Sequence, residues 1–132
     1  MSYLPKRRGD RAETVALKFL QTHGLHPVAR NYRCRWGEID LIMRDSGTLV
    51  FIEVRYRSGQ QFGGAAMSIA PQKQLRLRRS AQYYLCTVVR DMQTICRFDV
   101  VALDSRHMDI DWIKDAFSPG CEALFHNDRK TR

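Results

Sequence analysis

The stretch that decides the fold is residues 49–56, which read LVFIEVRY. Apolar side chains occupy both alternating faces of this segment as far as Ile52, a pattern typical of a central strand that is covered on both sides. Glu53 then follows Phe51 on one face, and Arg55 comes next on that face about 7 Å further along. The segment therefore predicts a central strand that brings a carboxylate and a cation out of the core together.

The pattern on either side of this strand predicts two helices and further strands. Apolar stripes at helical spacing predict helices over residues 10–23 and 71–88, with Gly24 ending the first helix and Pro71 in the first turn of the second. Extended or alternating segments predict strands over residues 28–32, 38–44, 49–57, 97–103 and 108–113. The turn residues at 45–47 join two of these strands, 38–44 and 49–57, as a hairpin.

The order of these elements is αβββαββ, without a repeat or a linker long enough to divide domains. We therefore expect an α/β fold in which one mixed sheet is flanked by helices, in a single domain over residues 1–132. The core is expected to span about residues 9–117. A basic arm at residues 1–8 and a tail at residues 118–132 are expected to be flexible.

Composition excludes several classes of protein. No apolar run approaches the roughly 20 residues of a membrane span, which excludes a transmembrane protein. The basic residues near the first methionine precede no apolar segment, so no secretory signal is predicted and the expected location is the cytoplasm. The cysteines at positions 34, 86, 96 and 121 lack the spacing of a zinc site, and they predict free thiols rather than disulfides.

The charge of the chain indicates a polyanionic partner. Lys and Arg number 22 against 14 acidic residues, giving a net charge of +8, and 17 of the basic residues are Arg. The planar guanidinium fork matches phosphate oxygens, so nucleic acid is the predicted partner. A solvated basic surface is the alternative interpretation. The candidate nucleic-acid contacts are Arg33, Arg35, Arg57, Arg76 and Arg79.

Carboxylates on the predicted hairpin indicate a metal site. Strand alternation puts Glu38 and Asp40 on one face of residues 37–43, with Ile39, Leu41 and Met43 on the other. If the hairpin closes at residues 45–48, Asp40 and Glu53 lie at comparable heights on adjacent strands. Two partly buried carboxylates repel, so one takes up a proton unless a cation sits between them. Mg²⁺ is the expected cation, because it accepts one or two carboxylates and also binds phosphate oxygens.

A purely structural interpretation of the same residues stays open. Glu53 would then pair with Arg55 or Lys73, while Glu38 and Asp40 would anchor the backbone or arginines at the edge of the sheet. Glu13 fits an N-terminal capping box with Asp10, which is a structural role.

Several residue groups together are similar to those of a known family. They are Gly9 with Ala12-Glu13, Asn31, the run 37–42 (GEIDLI), the run 51–55 (FIEVR), Lys73 with Ala81, and the run 97–101 (RFDVV). Over about residues 9–117 the chain resembles the YraN family of bacterial proteins. Members of that family look like archaeal Holliday junction resolvases and carry a restriction-endonuclease-like fold.

The resemblance implies a site of the PD-(D/E)xK nuclease type. Asp40 and Glu53 would then hold Mg²⁺ or Mn²⁺, and Glu13 would face the same site from the first helix. Arg55 occupies the usual lysine position, but Arg keeps its proton and cannot act as a general base. Lys73 is the other candidate for a cation at the phosphate.

Two functions follow from these residues. The first is a metal-dependent endonuclease acting on structured or branched DNA, with Glu13, Asp40, Glu53, Arg55 and Lys73 as its catalytic residues. Resolvases of similar fold are dimers, so the resemblance implies a possible homodimer, which would suit a two-fold branched substrate. The second is a non-catalytic nucleic-acid-binding module with the same fold, which Arg55 in the lysine position favours. An interaction domain built on the acidic C-terminal third has little support in the sequence.

Overall fold

A mixed five-stranded sheet lies between two helices. The computed structural model describes residues 8–57, 69–104 and 109–120, with residues 8–10 described by their backbone alone. The elements are α1 (Arg8–Thr22), β1 (His26–Cys34), β2 (Gly37–Asp45), β3 (Thr48–Arg57), α2 (Pro71–Tyr84), β4 (Cys96–Asp104) and β5 (Ile110–Phe117). The predicted α/β fold and its αβββαββ order are confirmed. Most of the predicted arm and tail falls outside the described residues.

The sheet has the order β1-β2-β3-β4-β5, so the strand predicted to be central is the middle one. It pairs antiparallel with β2 and parallel with β4, and α2 makes the crossover between β3 and β4 that a parallel pair requires. From Leu49 to Ile52 every side chain of β3 is buried. The apolar run on both faces is therefore explained by a helix on each side of the sheet.

Each face of the sheet has its own core. On the α1 side the buried apolar residues are Ala12, Ala16, Leu20, Leu25, Leu41, Met43, Val50, Ile52, Val101 and Leu103. On the α2 side they include Ile39, Ile42, Leu49, Phe51, Leu77, Ala81, Tyr84, Leu85, Phe98, Val100 and Ala102. These contacts hold the two helices on opposite faces of the sheet. Side chains from the two helices can approach each other where β2 and β3 separate.

At its C-terminal end, α2 continues into a wider helical turn. Residues Leu85–Val89 form a π-helical turn, and Arg90 follows with a left-handed φ of 65°. Its N–H donates to the Leu85 carbonyl at 2.7 Å. The helix predicted over residues 71–88 is therefore an α-helix only as far as Tyr84. Among the described residues, no helix is long and apolar enough to span a membrane.

Both outer strands are irregular. On β1 the pairing with β2 shifts between Pro27 and Ala29, and Asn31 has a φ of 56°. On the opposite edge the pairing of β4 with β5 shifts between Phe98 and Val100, and Asp115 on β5 has a φ of 54°. Left-handed backbone at a non-glycine residue interrupts the regular strand geometry.

The predicted alternation along β2 is wrong at one residue. Ile39 packs on the α2 side with Ile42, whereas Leu41 and Met43 pack on the α1 side. Asn31, with its left-handed φ, lies between the β1 residues that pair with Ile39 and Leu41. Because β2 also stops pairing with β3 at Leu41, its first residues are free to turn relative to the rest of the strand.

A buried aspartate ties β4 to its neighbours in the sheet. Asp99 is fully buried and accepts hydrogen bonds from Arg97 Nε at 3.0 Å and from the Trp112 indole N–H at 3.0 Å. The Asp115 backbone N–H donates to it at 2.9 Å. Arg97 also pairs with Asp45 at 3.0 Å. One carboxylate thus joins β4 to β5 and, through Arg97, to the end of β2.

Candidate functional site

The separation of β2 from β3 opens a pocket. The two strands pair from Asp45 and Thr48 as far as Leu41 and Ile52, so Asp40 and Glu53 are the first residues beyond the ladder. This matches the prediction that the two carboxylates lie at comparable heights. The pocket has a volume of about 160 Å³ and is lined by Gly37, Glu38, Asp40, Glu53, Lys73, Arg76 and Leu77. We call it the carboxylate pocket.

Gly37 allows the pocket to form at the start of β2. Its φ of 148° lies in the range that side chains rarely adopt. A Cβ at this position would also lie 3.5 Å from Ser80 Oγ on α2. The glycine therefore lets β2 begin against α2 with Glu38 and Asp40 directed into the same pocket.

Asp40 is held at the mouth of the opened sheet by a backbone hydrogen bond. The Val54 N–H donates to Asp40 Oδ2 at 2.8 Å, at the point where the ladder between the strands has ended. Burial raises the pKa of Asp40 to about 8, and the nearby charges of Glu53, Glu13 and Glu38 act in the same direction, whereas the Val54 N–H opposes them. Without a cation, Asp40 is therefore mostly protonated at neutral pH.

Glu53 pairs with a lysine on α2. Glu53 is only 7% exposed, so its carboxylate lies within the core, whereas the sequence predicted that it would leave the core. Lys73 Nζ on α2 lies 2.8 Å from Glu53 Oε2. A buried carboxylate needs such a partner, because its desolvation is costly. The structural interpretation of Glu53 as the partner of Lys73 therefore holds for its contacts.

Two more carboxylates complete the group. Oxygen atoms of Glu13, Glu38 and Asp40 all lie within 4.8 Å of one another, close enough to share a cation. Glu13 Oε1 also lies 3.6 Å from Arg30 Nε. The capping-box interpretation of Glu13 is wrong, because α1 begins at Arg8 and Asp10 is already inside the helix. Glu13 thus approaches Glu38 and Asp40 from α1, on the opposite face of the sheet to α2 and Lys73.

The residues present fit a hard divalent cation. Carboxylate oxygens are the ligands that Mg²⁺ and Mn²⁺ prefer, and three of them already converge here. Burial and, after it, the charges of the neighbouring carboxylates raise the pKa of Asp40, and a cation bound here would offset both effects. Asp40 belongs to both sets, the cluster with Glu13 and Glu38 and the pocket lining with Glu53.

The predicted cations divide into groups. Lys73 and Arg76 line the carboxylate pocket, whereas Arg55 is half-buried on β3 and is not among the lining residues. Arg33 is 62% exposed and lies 3.6 Å from Glu38 at the pocket's edge. Lys73 is therefore one cation in contact with Glu53, at 2.8 Å.

The other predicted arginines lie elsewhere. Arg35 and Arg79 both place their guanidinium groups over the ring of Trp36, at 5.2 and 5.1 Å from its centroid. Arg57 is buried and paired with Asp111 on β5, which does not suit a phosphate contact.

Sequence reasoning passed over two residues of this region. Strand alternation puts Glu38 on the same face as Asp40, but Glu38 is not among the metal ligands predicted from the sequence. Its position in the run 37–42, two residues before Asp40, is the signal that could have identified it. Trp36 received no role, yet it lies between Arg35 and the first residue of β2. An aromatic residue next to arginine is a pattern found in nucleic-acid-binding surfaces.

The fold and the position of the carboxylates define a class of protein. A single domain with a five-stranded mixed sheet, two helices and acidic residues where the central strands part is compatible with a restriction-endonuclease-like fold. The chain belongs to the family described as "Uncharacterised protein family UPF0102", whose model matches residues 12–103. The YraN proteins form this family, so the resemblance found in the sequence is confirmed.

Relatives of this family match most of the chain. A UPF0102 protein of Cupriavidus taiwanensis is 55% identical over 111 residues, which cover 83% of this chain and 82% of the relative. A UPF0102 protein of Nitrosomonas eutropha is 50% identical over 115 residues, covering 87% and 97%. One of Methylobacillus flagellatus is 49% identical over 114 residues, covering 86% and 98%. These names state no activity.

The pKa of Asp40 predicts how stability depends on pH when no divalent metal is present. Its folded pKa of about 8 is above the ordinary value of 3.8, so the folded state keeps a proton that the unfolded state releases. This contribution to stability is complete below about pH 4 and is lost as the pH rises to about 8. In EDTA, we expect the melting temperature of the wild type to fall between pH 6 and pH 9 relative to that of Asp40→Asn. Parallel melting profiles for the two proteins would contradict the assignment.

Proposed function

We propose that this protein is a metal-dependent endonuclease that acts on structured or branched DNA. The observation that carries the proposal is the convergence of Asp40 with Glu13 and Glu38 in one cluster and with Glu53 in one pocket. The resemblance to resolvases and the basic composition support DNA as the substrate. Fold likeness by itself does not imply cleavage, so the proposal depends on the site.

Asp40, with Glu53, Glu13 and Glu38, would hold Mg²⁺ or Mn²⁺. When bound, the ion supplies a Lewis acid for the phosphodiester and lowers the pKa of a bound water. The Val54 N–H donates to Asp40 Oδ2 and so fixes the carboxylate of this pocket-lining residue. Lys73 and Arg76, on α2, offer positive charge to the phosphate oxygens from the other side of the pocket. Arg55 keeps its proton and is not a base in this scheme.

Calorimetry followed by a cleavage assay tests the proposal. Mg²⁺ and Mn²⁺ are titrated into the wild type and into Glu53→Gln, and labelled branched and linear duplexes of the same sequence are then added to each. We expect metal binding and cleavage of the branched DNA by the wild type, with no cleavage in EDTA. Absence of metal binding both with and without DNA would overturn the proposal.

The contact between Lys73 and Glu53 predicts which cation matters for cleavage. Because Lys73 lines the pocket and Arg55 does not, we expect Lys73→Gln to lower the cleavage rate by about 10- to 100-fold. Arg55→Lys keeps the charge and should leave the rate within about threefold. Single-turnover rates on the branched duplex measure both effects. A gain in rate for Arg55→Lys would instead mean that the arginine attenuates the natural enzyme.

The same ion pair favours a second candidate function. Lys73 at 2.8 Å from Glu53 already neutralises that carboxylate without a metal, as a binding module that had given up catalysis would require. Such a module would bind branched DNA uncut, in EDTA as well as in Mg²⁺, and its affinity would fall steeply with salt. The assay above separates the two functions by whether wild-type protein cuts the DNA that it binds.

A further inference from the structure

A second and larger pocket lies beside the carboxylate pocket. It has a volume of about 460 Å³, within the range of roughly 300 to 1,000 Å³ of small-ligand sites. Its lining residues are Trp36, Arg79, Gln82, Tyr83, Cys86 and Met92. We call it the aromatic pocket. The proposed nuclease mechanism makes no use of it.

The two pockets share the same two elements. Trp36 directly precedes Gly37, which lines the carboxylate pocket, so one turn of chain serves both sites. On α2, Arg76 lines the carboxylate pocket and Arg79 the aromatic pocket, and residues three apart on a helix are neighbours on its surface. A flexible chain that occupies one pocket can therefore continue into the other.

The chemistry of the aromatic pocket suits a flat, electron-rich ring. Arg35 and Arg79 lie over the indole of Trp36, and Tyr83 remains 40% exposed at the pocket wall. Aromatic rings and guanidinium planes both stack on nucleobases. Gln82 adds an amide that can both donate to and accept from the edge of a base.

We propose that the aromatic pocket binds one unstacked nucleobase of the DNA strand whose phosphate lies in the carboxylate pocket. The inference rests on the proposed function for the identity of the strand, and it specifies the substrate as DNA with an unpaired base next to the site of action. Positive charge favours this occupant over an apolar peptide, because the two arginines at Trp36 would attract the phosphates that accompany a base.

Binding measurements in EDTA test this inference without any need for cleavage. Three labelled duplexes of one sequence are compared by fluorescence anisotropy at fixed salt: fully paired, with a single unpaired adenine, and with an abasic residue in place of that adenine. We expect the wild type to prefer the unpaired adenine over the other two by roughly 5- to 100-fold. Trp36→Ala should lose this preference while its affinity for the paired duplex stays within about twofold.

Two further variants make the test independent of misfolding. The chain has two Trp residues, so Trp112→Phe leaves Trp36 as the single tryptophan reporter. Trp112 donates its indole N–H to Asp99 and does not line the aromatic pocket. In this variant the preference should persist, and the unpaired adenine should quench the fluorescence of Trp36. Trp36→His keeps a planar ring and should retain part of the preference. Melting curves confirm that every variant is folded.

Equal affinity of the wild type for the three duplexes would overturn the inference, as would a uniform loss of affinity for all three in Trp36→Ala. Failure of the proposed nuclease function would give a different combination of cleavage and binding results. A protein that never cuts DNA but prefers the unpaired base in EDTA would retain the aromatic pocket as a base site. A protein that cuts branched DNA without this preference would retain the nuclease function alone.

Discussion

Asp40→Asn is expected to abolish metal-dependent cleavage of branched DNA, with a loss of at least about 10²- to 10³-fold in rate, and to stabilise the metal-free protein. The amide can still accept the Val54 hydrogen bond, so the local backbone is retained. It cannot supply the charge that a divalent cation needs. Above pH 8 it also removes a charge that burial disfavours and that Glu53, Glu13 and Glu38 repel, so the metal-free protein gains stability.

Two measurements on the same preparation check this result. Single-turnover cleavage gives the loss of rate, and melting at pH 9 in EDTA gives the gain in stability. Asp91→Asn is the matched control, because Asp91 is exposed and its side chain accepts a hydrogen bond within a local turn. It should leave both quantities unchanged. If Asp40→Asn cuts DNA at the wild-type rate, Asp40 is not part of a metal site.

Asp99→Ala is expected to have the largest effect on stability, a loss of about 3 to 5 kcal/mol. The substitution leaves the half-buried Arg97 with Asp45 as its remaining carboxylate partner, and it leaves the Trp112 indole N–H and the Asp115 N–H without their acceptor. Uncompensated buried groups cost more than the hydrogen bonds themselves contribute. For a chain of this length the melting temperature should fall by roughly 10 to 20 °C.

Chemical denaturation of Asp99→Ala measures the free energy of unfolding directly. Asp91→Ala serves as its control, since the same atoms are removed from an exposed turn, and it should cost less than about 1 kcal/mol. Since Asp99 is absent from the lining of both pockets, the folded variant should bind DNA like the wild type. Equal stability of the two variants would show that Asp99 does not hold β4 and β5 together.

The sequence was sufficient to predict β3 and the carboxylates that flank it. A strand has a period of two residues, and a short turn sets the register of a hairpin, so the heights of Asp40 and Glu53 followed once the turn at residues 45–47 was located. The buried run from Leu49 to Ile52 likewise required a cover on both faces. These features depend on local pattern, which one sequence contains.

Other parts of the site depend on tertiary packing. The turn of Ile39 toward α2 occurs opposite the left-handed Asn31 on a neighbouring strand, which no pattern within β2 indicates. That Lys73 reaches Glu53 depends on how α2 lies on the sheet, and that Arg57 is buried depends on Asp111. Such contacts link residues far apart in the chain, so spacing alone left Lys73 and Arg55 as equal candidates for the cation near Glu53.

The irregular outer strands constrain how two copies of this chain could associate. Sheets extend across a molecular boundary when a flat edge offers an unbroken row of N–H and C=O groups, and this row is interrupted at Asn31 on one side and at Asp115 on the other. A continuous ten-stranded sheet, and fibrils built in the same way, are disfavoured at both margins. If a homodimer forms on DNA, its two-fold axis should therefore pass through helix or loop surfaces.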